Sequence, residues 1–415
     1  MRTRFFFHVA LLVVVSLLEA DLADDLRPQR LQSTLSTVQP MTGIVLWSTN
    51  EAAATAPIQL EYAYLKYSQI VQESGAYDWE PVERLLDAVS SRKHQAILRW
   101  HDTYVGEPTG VPAFIRRLPN YRETTAMSEK MQTGFPDWSS QEWKDFVLQF
   151  YTRFAERYDA DPRLAFVQAG FGLWAEYHIY DGPMKLGLTF PDKDFQLVFI
   201  KHLASNFRET PWMISVDAAG EHTPFAKDTM LSEVQFGLFD DSFNHKRHSK
   251  ENEPNWRVLG MDRWKHSPAG GEFSFFARKD QKEALSPNGP YGIPFPDHAS
   301  KFHVSFIIGD DQPRFQSPDV IRDAAMACGY RFKVNRFLTS PTASELEIEN
   351  TGIAPIYYHA YPAVDGVRSG TSLKGIQPGE RRQFRVAKGG DLPVVSIECD
   401  RLVPGQKIGF EADLP

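Results

Sequence analysis

The sequence predicts an α/β fold, a (β/α)8 TIM barrel over residues 42–338 followed by a small C-terminal β-sandwich over residues 339–415. Three observations lead there. From Thr42 to about Leu338, short apolar runs alternate with amphipathic stretches, the pattern of a βα repeat around a parallel sheet. Eight apolar runs can be counted, the number that closes a barrel, and no glycine fingerprint of an open dinucleotide-binding sheet follows the first. Beyond Leu338 the helical stretches stop, and short alternating runs separated by turn residues take over.

Along the chain, Arg2 and Arg4 precede an apolar run from Phe5 to Leu18, followed by the small residues Ala20 and Ala23 and an acidic stretch. This is the layout of a secretory signal over residues 1–20, because the run falls short of the roughly 20 apolar residues that span a bilayer. Residues 21–41 read as a linker. Strands are expected at 42–47, 60–67, 95–100, 163–170, 212–217, 234–239, 267–273 and 303–309, with helices over 79–92, 139–158, 192–207 and 317–330. In the first helix Val82, Leu85, Leu86 and Val89 share one face. The second begins at a serine cap, and the last is entered through Ser317 and Pro318 and left through Gly329. Residues 344–413 carry the runs SELEIENTG, IYYHAYPAV, RRQFRVA and PVVSIECD, split by NTG, QPGE and KGG turns, as short sandwich strands do.

The 415 residues are 42% hydrophobic, 13% aromatic and 24% charged, which excludes a disordered or fibrous chain. Against 53 Asp and Glu stand 45 Lys and Arg, a net charge of -8; loss of residues 1–20 removes Arg2, Arg4 and Glu19, a net +1, and leaves -9. With no block of basic residues, nucleic acid is a poor partner. No segment after the signal is apolar enough to cross a membrane, so the expected product is exported, either secreted or periplasmic. Cys328 and Cys399 are too few for a disulfide scaffold or a Cys-rich zinc site and allow at most one bridge. His245 and His248, in the polar stretch 244–255, read as parts of a solvated loop rather than a metal site. No G-x-S-x-G, H-E-x-x-H, Walker or Cys–His signature is present, and no cofactor is expected.

In such a barrel the C-terminal ends of the strands carry the site, so polar residues just past each strand are the candidates. Glu176 follows the fourth strand in GFGLWAEYH (170–178), flanked by Trp174, Tyr177 and His178. A carboxyl held among aromatic rings in a partly dry cleft has its ionised form disfavoured and can keep a proton near neutral pH. Acid–base hydrolysis needs a second carboxyl, and Glu272 in SPAGGEFSFF is the candidate. It lies at the catalytic end if the seventh strand runs 267–272, and at the wrong end if it runs 272–276. Arg99, Trp100, His101 and Asp102 after the third strand, Asp217 after the fifth, Asp240 and Asp241 after the sixth, and Asp310 and Asp311 after the eighth complete a polar floor. Each is otherwise a helix cap or a barrel ion pair. Asp240 and Asp241 are the reserve catalytic carboxylates. Trp47, Trp100, Trp174 and Tyr177 lie near strand ends, where flat rings can stack on the C–H faces of a sugar.

The order of Y-D-W-x-x-V-x-R-L-L-D (77–87), L-R-W (98–100), R-Y-D-A-D-P-R-L-A-F-V (157–167), G-L-W-A-E-Y-H (172–178), G-G-E (270–272), G-Y-R-F (329–332) and N-T-G-I-A-P-I-Y-Y (350–358) resembles a group of secreted bacterial barrel-plus-sandwich proteins. They are catalogued as a domain of unknown function and look like clan A glycoside hydrolases, including β-galactosidase-like barrels. The resemblance covers nearly all of the chain after the signal, and GLWAEYH and NTGIAPIYY are its most specific segments. It implies a carbohydrate substrate, an acid/base Glu after the fourth strand matching Glu176, and a nucleophilic Glu after the seventh matching Glu272. Ala175 stands where clan A commonly has an Asn that bonds the sugar 2-hydroxyl. That contact then comes from His178 or Asp217, or the barrel binds glycan without cutting it. The expectation is a secreted retaining glycoside hydrolase acting on a polysaccharide or oligosaccharide, with Arg99, His101 and His178 orienting sugar hydroxyls. Two other readings stand beside it: a non-catalytic carbohydrate-binding protein on a degenerate barrel, and a lyase for uronic-acid polymers with Tyr177 as base and Arg99 neutralising the sugar carboxylate.

Overall fold

A computed structural model describes residues 25–225 and 233–415; the expected signal at 1–20 lies outside the described residues. Eight parallel strands close a (β/α)8 TIM barrel: β1 (Gly43–Trp47), β2 (Leu60–Lys66), β3 (Gln95–His101), β4 (Leu164–Gln168), β5 (Trp212–Ser215), β6 (Gly237–Phe243), β7 (Ala269–Phe273) and β8 (Val304–Ile308). Closure comes where β8 pairs with β1, Phe306 against Gly43 and Ile308 against Val45. Each strand falls on an expected run. Only β6 is displaced, beginning at Gly237 and carrying Asp240 and Asp241 inside the strand rather than after it.

The helices include α1 (Glu80–Ser91), α2 (Gln141–Tyr158), α3 (Lys193–Asn206), α4 (Asn252–Leu259), α5 (Phe295–Phe302) and α6 (Pro318–Met326). Side-chain caps set the starts of α2 and α3: the Ser140 hydroxyl accepts the Trp143 N–H at 3.2 Å, and the Asp192 carboxylate accepts the Phe195 N–H at 2.8 Å. Strand residues alternate between two cores. Inward, Val45, Tyr62, Ile97, Phe166, Phe239 and Phe306 fill the barrel. Outward, Leu98, Trp100 and Val167 pack beneath the helices. Parallel strands buried on both faces carry no polar side to mark which residue points where.

The sandwich pairs a sheet containing β9 (Phe332–Thr339), β10 (Ser344–Asn350), β12 (Arg381–Val386) and β14 (Phe410–Leu414) with a smaller sheet containing β11 (Ala360–Val364) and β13 (Val395–Cys399). Its first strand starts at Phe332, ahead of the expected boundary at 339. The segment expected as a linker contributes two short strands to it: Arg27–Pro28 pairs with β9, and Leu31–Ser33 pairs with β14. Strands this short have no alternation to read, and their partners lie at the far end of the chain.

The sandwich closes the N-terminal end of the barrel. The Tyr358 hydroxyl donates to the Ala165 carbonyl, and the Arg401 guanidinium donates to the carbonyls of Asp159 and Leu164 at 2.9 and 3.1 Å. The Gln95 side-chain amide returns a hydrogen bond of 2.7 Å to the Arg401 carbonyl. Gln95 and Leu164 open β3 and β4, so the mouth of the barrel lies at the opposite end. Cys328 and Cys399 are buried, free thiols, and burial pushes both pKa values up. Among the described residues no helix is long and apolar enough to cross a membrane.

Candidate active site

A cleft of about 840 Å3 lies at the C-terminal ends of the strands. Trp47, Tyr64, Tyr104, Trp174, Tyr180, Phe275 and Phe276 wall it, and Glu176, His178, Asp217, Asp241 and Glu272 are its central polar residues. The register question at β7 has a definite answer. Gly271 pairs with Ile307 and Glu272 with Ile308, the last residue of β8, so Glu272 sits at the mouth.

Glu176 is held by an unusual loop. Trp174, Ala175 and Tyr177 adopt left-handed φ values of 52°, 60° and 62°, a conformation that costs free energy in non-glycine residues. The compensation is a set of backbone hydrogen bonds: Trp174 N–H to Thr103 O at 3.0 Å, Glu176 N–H to Leu173 O at 3.0 Å and Tyr177 N–H to Phe171 O at 2.9 Å. A Cβ at Gly170 would collide with the Ala175 carbonyl. Gly170→Ala is therefore expected to displace the loop that carries Glu176 and to lower stability by about 1–3 kcal/mol, as forcing an atom into an occupied space does. Denaturant unfolding checks this, and an unchanged midpoint would show that the loop tolerates the shift.

Beneath the cleft lies Arg99, fully buried, with its guanidinium 4.1 Å from the centre of the Phe239 ring. Its Nε donates to Gln168 Oε1 at 2.7 Å, Nη1 to the Tyr64 hydroxyl at 2.8 Å and the Trp174 carbonyl at 3.2 Å, and Nη2 to Asp241 Oδ1 at 2.7 Å. Nη1 also reaches Glu176 Oε1 at 3.3 Å. His178 is the second cation, with Nδ1 3.0 Å from Asp217 Oδ2 and Nε2 3.4 Å from Glu176 Oε2. The latter contact is too oblique to count as a hydrogen bond and acts as a charge contact. Burial opposes the imidazolium, but hydrogen bonding to Asp217 and the negative charges of Asp217 and Glu176 outweigh it and push its pKa up to about 10.

Two carboxyls are likewise pushed toward keeping a proton. Burial, reinforced by the charges of Glu176 and Asp217 and opposed by Arg99, raises Asp241 to about 8. Its Oδ2 is buried without a hydrogen-bond partner. Burial together with the charges of Asp241 and Glu176 pushes Glu272 well above the usual carboxylate range. No hydrogen bond or ion pair contacts the Glu272 carboxyl among the described residues.

These shifts carry a consequence for stability. His178 moves from an ordinary 6.5 to about 10, and Asp241 from 3.8 to about 8, so both bind protons more tightly in the folded chain. The contribution of His178 is complete below its unfolded value and is lost as pH rises toward the folded one. That of Asp241 starts to decline at a lower pH and is spent once its folded value is passed. The two declines overlap between about pH 6.5 and 8, where each removes up to about 1.4 kcal/mol per pH unit. Thermal melts across this range should show a falling Tm, less steep in His178→Gln; a flat or rising Tm would contradict the assignment.

Several expected residues lie outside the cleft. Trp100 points outward, its ring centre 4.7 Å from Phe150 and 5.3 Å from Phe154, because Arg99 takes the inward position on β3. Tyr177 is fully buried against Phe171 and Phe225. His101, whose pKa burial pushes down to about 3, packs behind Tyr64 and Tyr104, and Asp102 is buried beside Thr103 with its pKa raised to about 7 by burial. Asp240 faces the helix layer, accepting from Trp256 Nε1 at 3.0 Å and Asn252 Nδ2 at 2.5 Å, and lies 2.8 Å from His248 Nε2. His245 and His248 are thus buried rather than solvated. Asp310 accepts the Trp47 N–H at 2.9 Å and an Asn50 hydrogen bond at 2.7 Å, which fixes the end of β1, and Asp311 pairs with Arg314. With Arg99 fully committed and Tyr177 enclosed, neither residue of the lyase reading can reach a substrate.

Other cleft residues were not singled out from the sequence: Tyr64, Tyr104, Tyr180, Asn252, Asn255, Phe275 and Phe276, with Glu129 on the turn of a hairpin formed by Thr124–Ser128 and Met131–Phe135. Tyr64 carried a usable signal, since it shares the inward register of β2 with Tyr62. Glu176, His178 and Asp217 each offer a ligand atom within 4.8 Å of the others. Each ring nitrogen of His178 already faces a carboxylate, so the cluster neutralises itself as an ion network.

No known family profile matches the sequence, and no curated protein matches it. Among solved structures, the chain is similar to endo-glycoceramidase II from Rhodococcus sp. in its lactosyl-enzyme form, at 10% identity and a TM-score of 0.44, over 87% of this chain and 100% of that one. It is also similar to a glycoside hydrolase family 30 subfamily 8 xylanase from Clostridium acetobutylicum, at 11% identity and a TM-score of 0.40, over 88% and 94% of the two chains. A family 36 α-galactosidase from Geobacillus stearothermophilus matches at 9% identity and a TM-score of 0.38; 86% of this chain spans 56% of that one. These structural neighbours are glycoside hydrolases, and the barrel itself is established by its strand pairing.

Proposed function

We propose that this chain is an exported glycoside hydrolase that cleaves a polysaccharide or oligosaccharide by a retaining mechanism, with Glu176 and Glu272 as its two working carboxyls. One observation carries the reading. Carboxyls from the ends of β4 and β7 enter the same aromatic-walled cleft, one in contact with two cations and the other with none. Two carboxyls from different strand ends in one cleft are what glycosidic cleavage requires. The aromatic walls suit the C–H faces of sugar rings, and Asn252, Asn255, His178 and Asp217 offer hydrogen bonds to hydroxyls. His178 and Asp217 fill the role left open by Ala175, which is itself buried. The apolar N-terminal run supports export.

The test uses the chain from residue 21 onward against aryl α- and β-glycosides of galactose, glucose and xylose, together with reducing-end release from plant and bacterial polysaccharides. Turnover is expected on at least one, absent from the double variant Glu176→Gln with Glu272→Gln, and with the anomeric configuration of the first product retained by NMR. If the parent releases no more sugar than the double variant on every substrate, the hydrolase reading fails. Glycan binding without release would then leave the barrel as a carbohydrate-binding protein.

A further inference from the structure

The cleft is rich in carboxyls and poor in cations. Glu129, Glu176, Asp217, Asp241, Glu251 and Glu272 line it, and among the described residues no Lys or Arg does. Four of these carboxyls have partners: Glu176 and Asp217 meet His178, Glu251 pairs with Arg247, and Glu129 accepts the Tyr180 hydroxyl. The other two are left short. Asp241 gives one oxygen to Arg99, but its Oδ2 is buried without a partner, and the side chain is only 9% exposed. Glu272 has no hydrogen bond or ion pair among the described residues. Asp240 pairs with Gly271 where β6 runs beside β7, so the next residue on each strand, Asp241 and Glu272, reaches the mouth next to the other.

We propose, resting on the reading of this cleft as a retaining glycoside hydrolase, that its substrate is a glycan of amino sugars with free ammonium groups, and that Asp241 and Glu272 receive the ammonium on the carbon beside the anomeric one. The charge balance of the site asks for such a ligand. The positive charges of Arg99 and His178 are matched by Glu176 and Asp217. An ionised Asp241 or Glu272 is in excess, and burial together with the surrounding negative charges holds a proton on each in the free cleft. Yet Glu272, the nucleophile under the resemblance, must be an anion when it attacks. An ammonium on the carbon next to the reacting one lies within reach of the attacking carboxylate, so the cation that Glu272 lacks arrives with the substrate. A hydroxyl there donates a hydrogen bond but brings no charge, and an acetylated amine has lost its own. A sugar carboxylate or sulfate would find no free cation among the lining residues. The competing role for the surplus carboxyls is to steady the positive charge that develops on the ring during cleavage, and a neutral sugar would need that equally.

The experiment compares aryl glycosides of 2-amino-2-deoxyglucose and 2-amino-2-deoxygalactose, in both anomeric forms, with their N-acetylated and 2-hydroxy counterparts. The parent should turn over at least one aminoglycoside with kcat/KM about 100-fold above both counterparts, as a desolvated charge pair provides. Asp241→Asn should shrink that ratio to within about 5-fold, and Asp241→Glu should restore part of it. Melting curves identify a variant that does not fold. A second measurement needs no variant: calorimetry of the parent with sulfur-linked, uncleaved forms of the same glycosides, in two buffers of different ionisation enthalpy. At about pH 6, where the free amine is charged, the amino form should release protons on binding and the 2-hydroxy form should not.

Turnover of the 2-hydroxy or N-acetylated glycosides equal to or above that of the aminoglycosides overturns the inference and leaves the hydrolase reading standing. A preference for aminoglycosides that survives Asp241→Asn in a folded variant overturns the part given to Asp241, and binding without proton release overturns the part given to the protonated pair. If no glycoside is cleaved, the hydrolase reading fails, and calorimetry alone decides recognition of the ammonium. The uncleaved amino forms binding about 10-fold or more tighter than the 2-hydroxy forms would uphold it, and equal binding would overturn it.

Discussion

Glu176→Gln is expected to lower kcat/KM by about 10,000-fold or more while leaving glycan affinity within a few-fold of the parent. The size of the loss follows from position rather than from either role, since a glutamine can neither form the ester nor give up a proton. The amide keeps the volume of the side chain, so the walls formed by Trp174 and Tyr180, whose rings lie 5.9 Å apart, should stay in place for binding. His178 would keep Asp217 as a partner but lose its second carboxylate. Reducing-end release and calorimetric titration on one glycan measure the two quantities separately. A variant within about tenfold of the parent would remove Glu176 from the chemistry.

Arg99→Met is the second large effect, and it falls on the fold. The side chain is fully buried and satisfies Gln168, Tyr64, Trp174 and Asp241 together. Deleting one partner of a buried charge network costs about 3–5 kcal/mol, because the groups left behind can find neither water nor another donor. Asp241 can soften the loss by taking up a proton, so the penalty should grow as pH rises above about 8. Denaturant unfolding at neutral and alkaline pH measures it. Arg99→Lys should fall between parent and Met, since it keeps the charge but not the fork that reaches several acceptors. A cost below about 1 kcal/mol in Arg99→Met would mean that water reaches these groups.

Much of the barrel was legible because its strands are continuous apolar runs bounded by helices with clear caps and faces. What could not be read was the direction of each side chain. Arg99 and Trp100 are neighbours on β3, as Asp240 and Asp241 are on β6, and in each pair one residue enters the barrel while the other lies under the helices. Both faces of such strands are buried, so composition does not separate inward from outward. The shifted start of β6 hid the parity that would have distinguished the aspartates. Glu272 was legible as a residue but not in register, because glycines beside it fit a strand end as well as a turn. The polar stretch around His245 and His248 looked solvated because its burial depends on Asp240, a partner on another element. The loop carrying Glu176 was recognised by its residue types, yet its left-handed backbone was not. Nothing in Trp174, Ala175 or Tyr177 as residue types favours that conformation.

The plug at the closed end of the barrel governs how the molecule can be held. The strands at Arg27–Pro28 and Leu31–Ser33 and the last strand, β14, belong to one sheet of that plug. A tether attached ahead of residue 25 or behind β14 therefore grips the molecule by its base. A chain held through either end turns its mouth away from the point of attachment, and a handle fused there stands clear of the cleft.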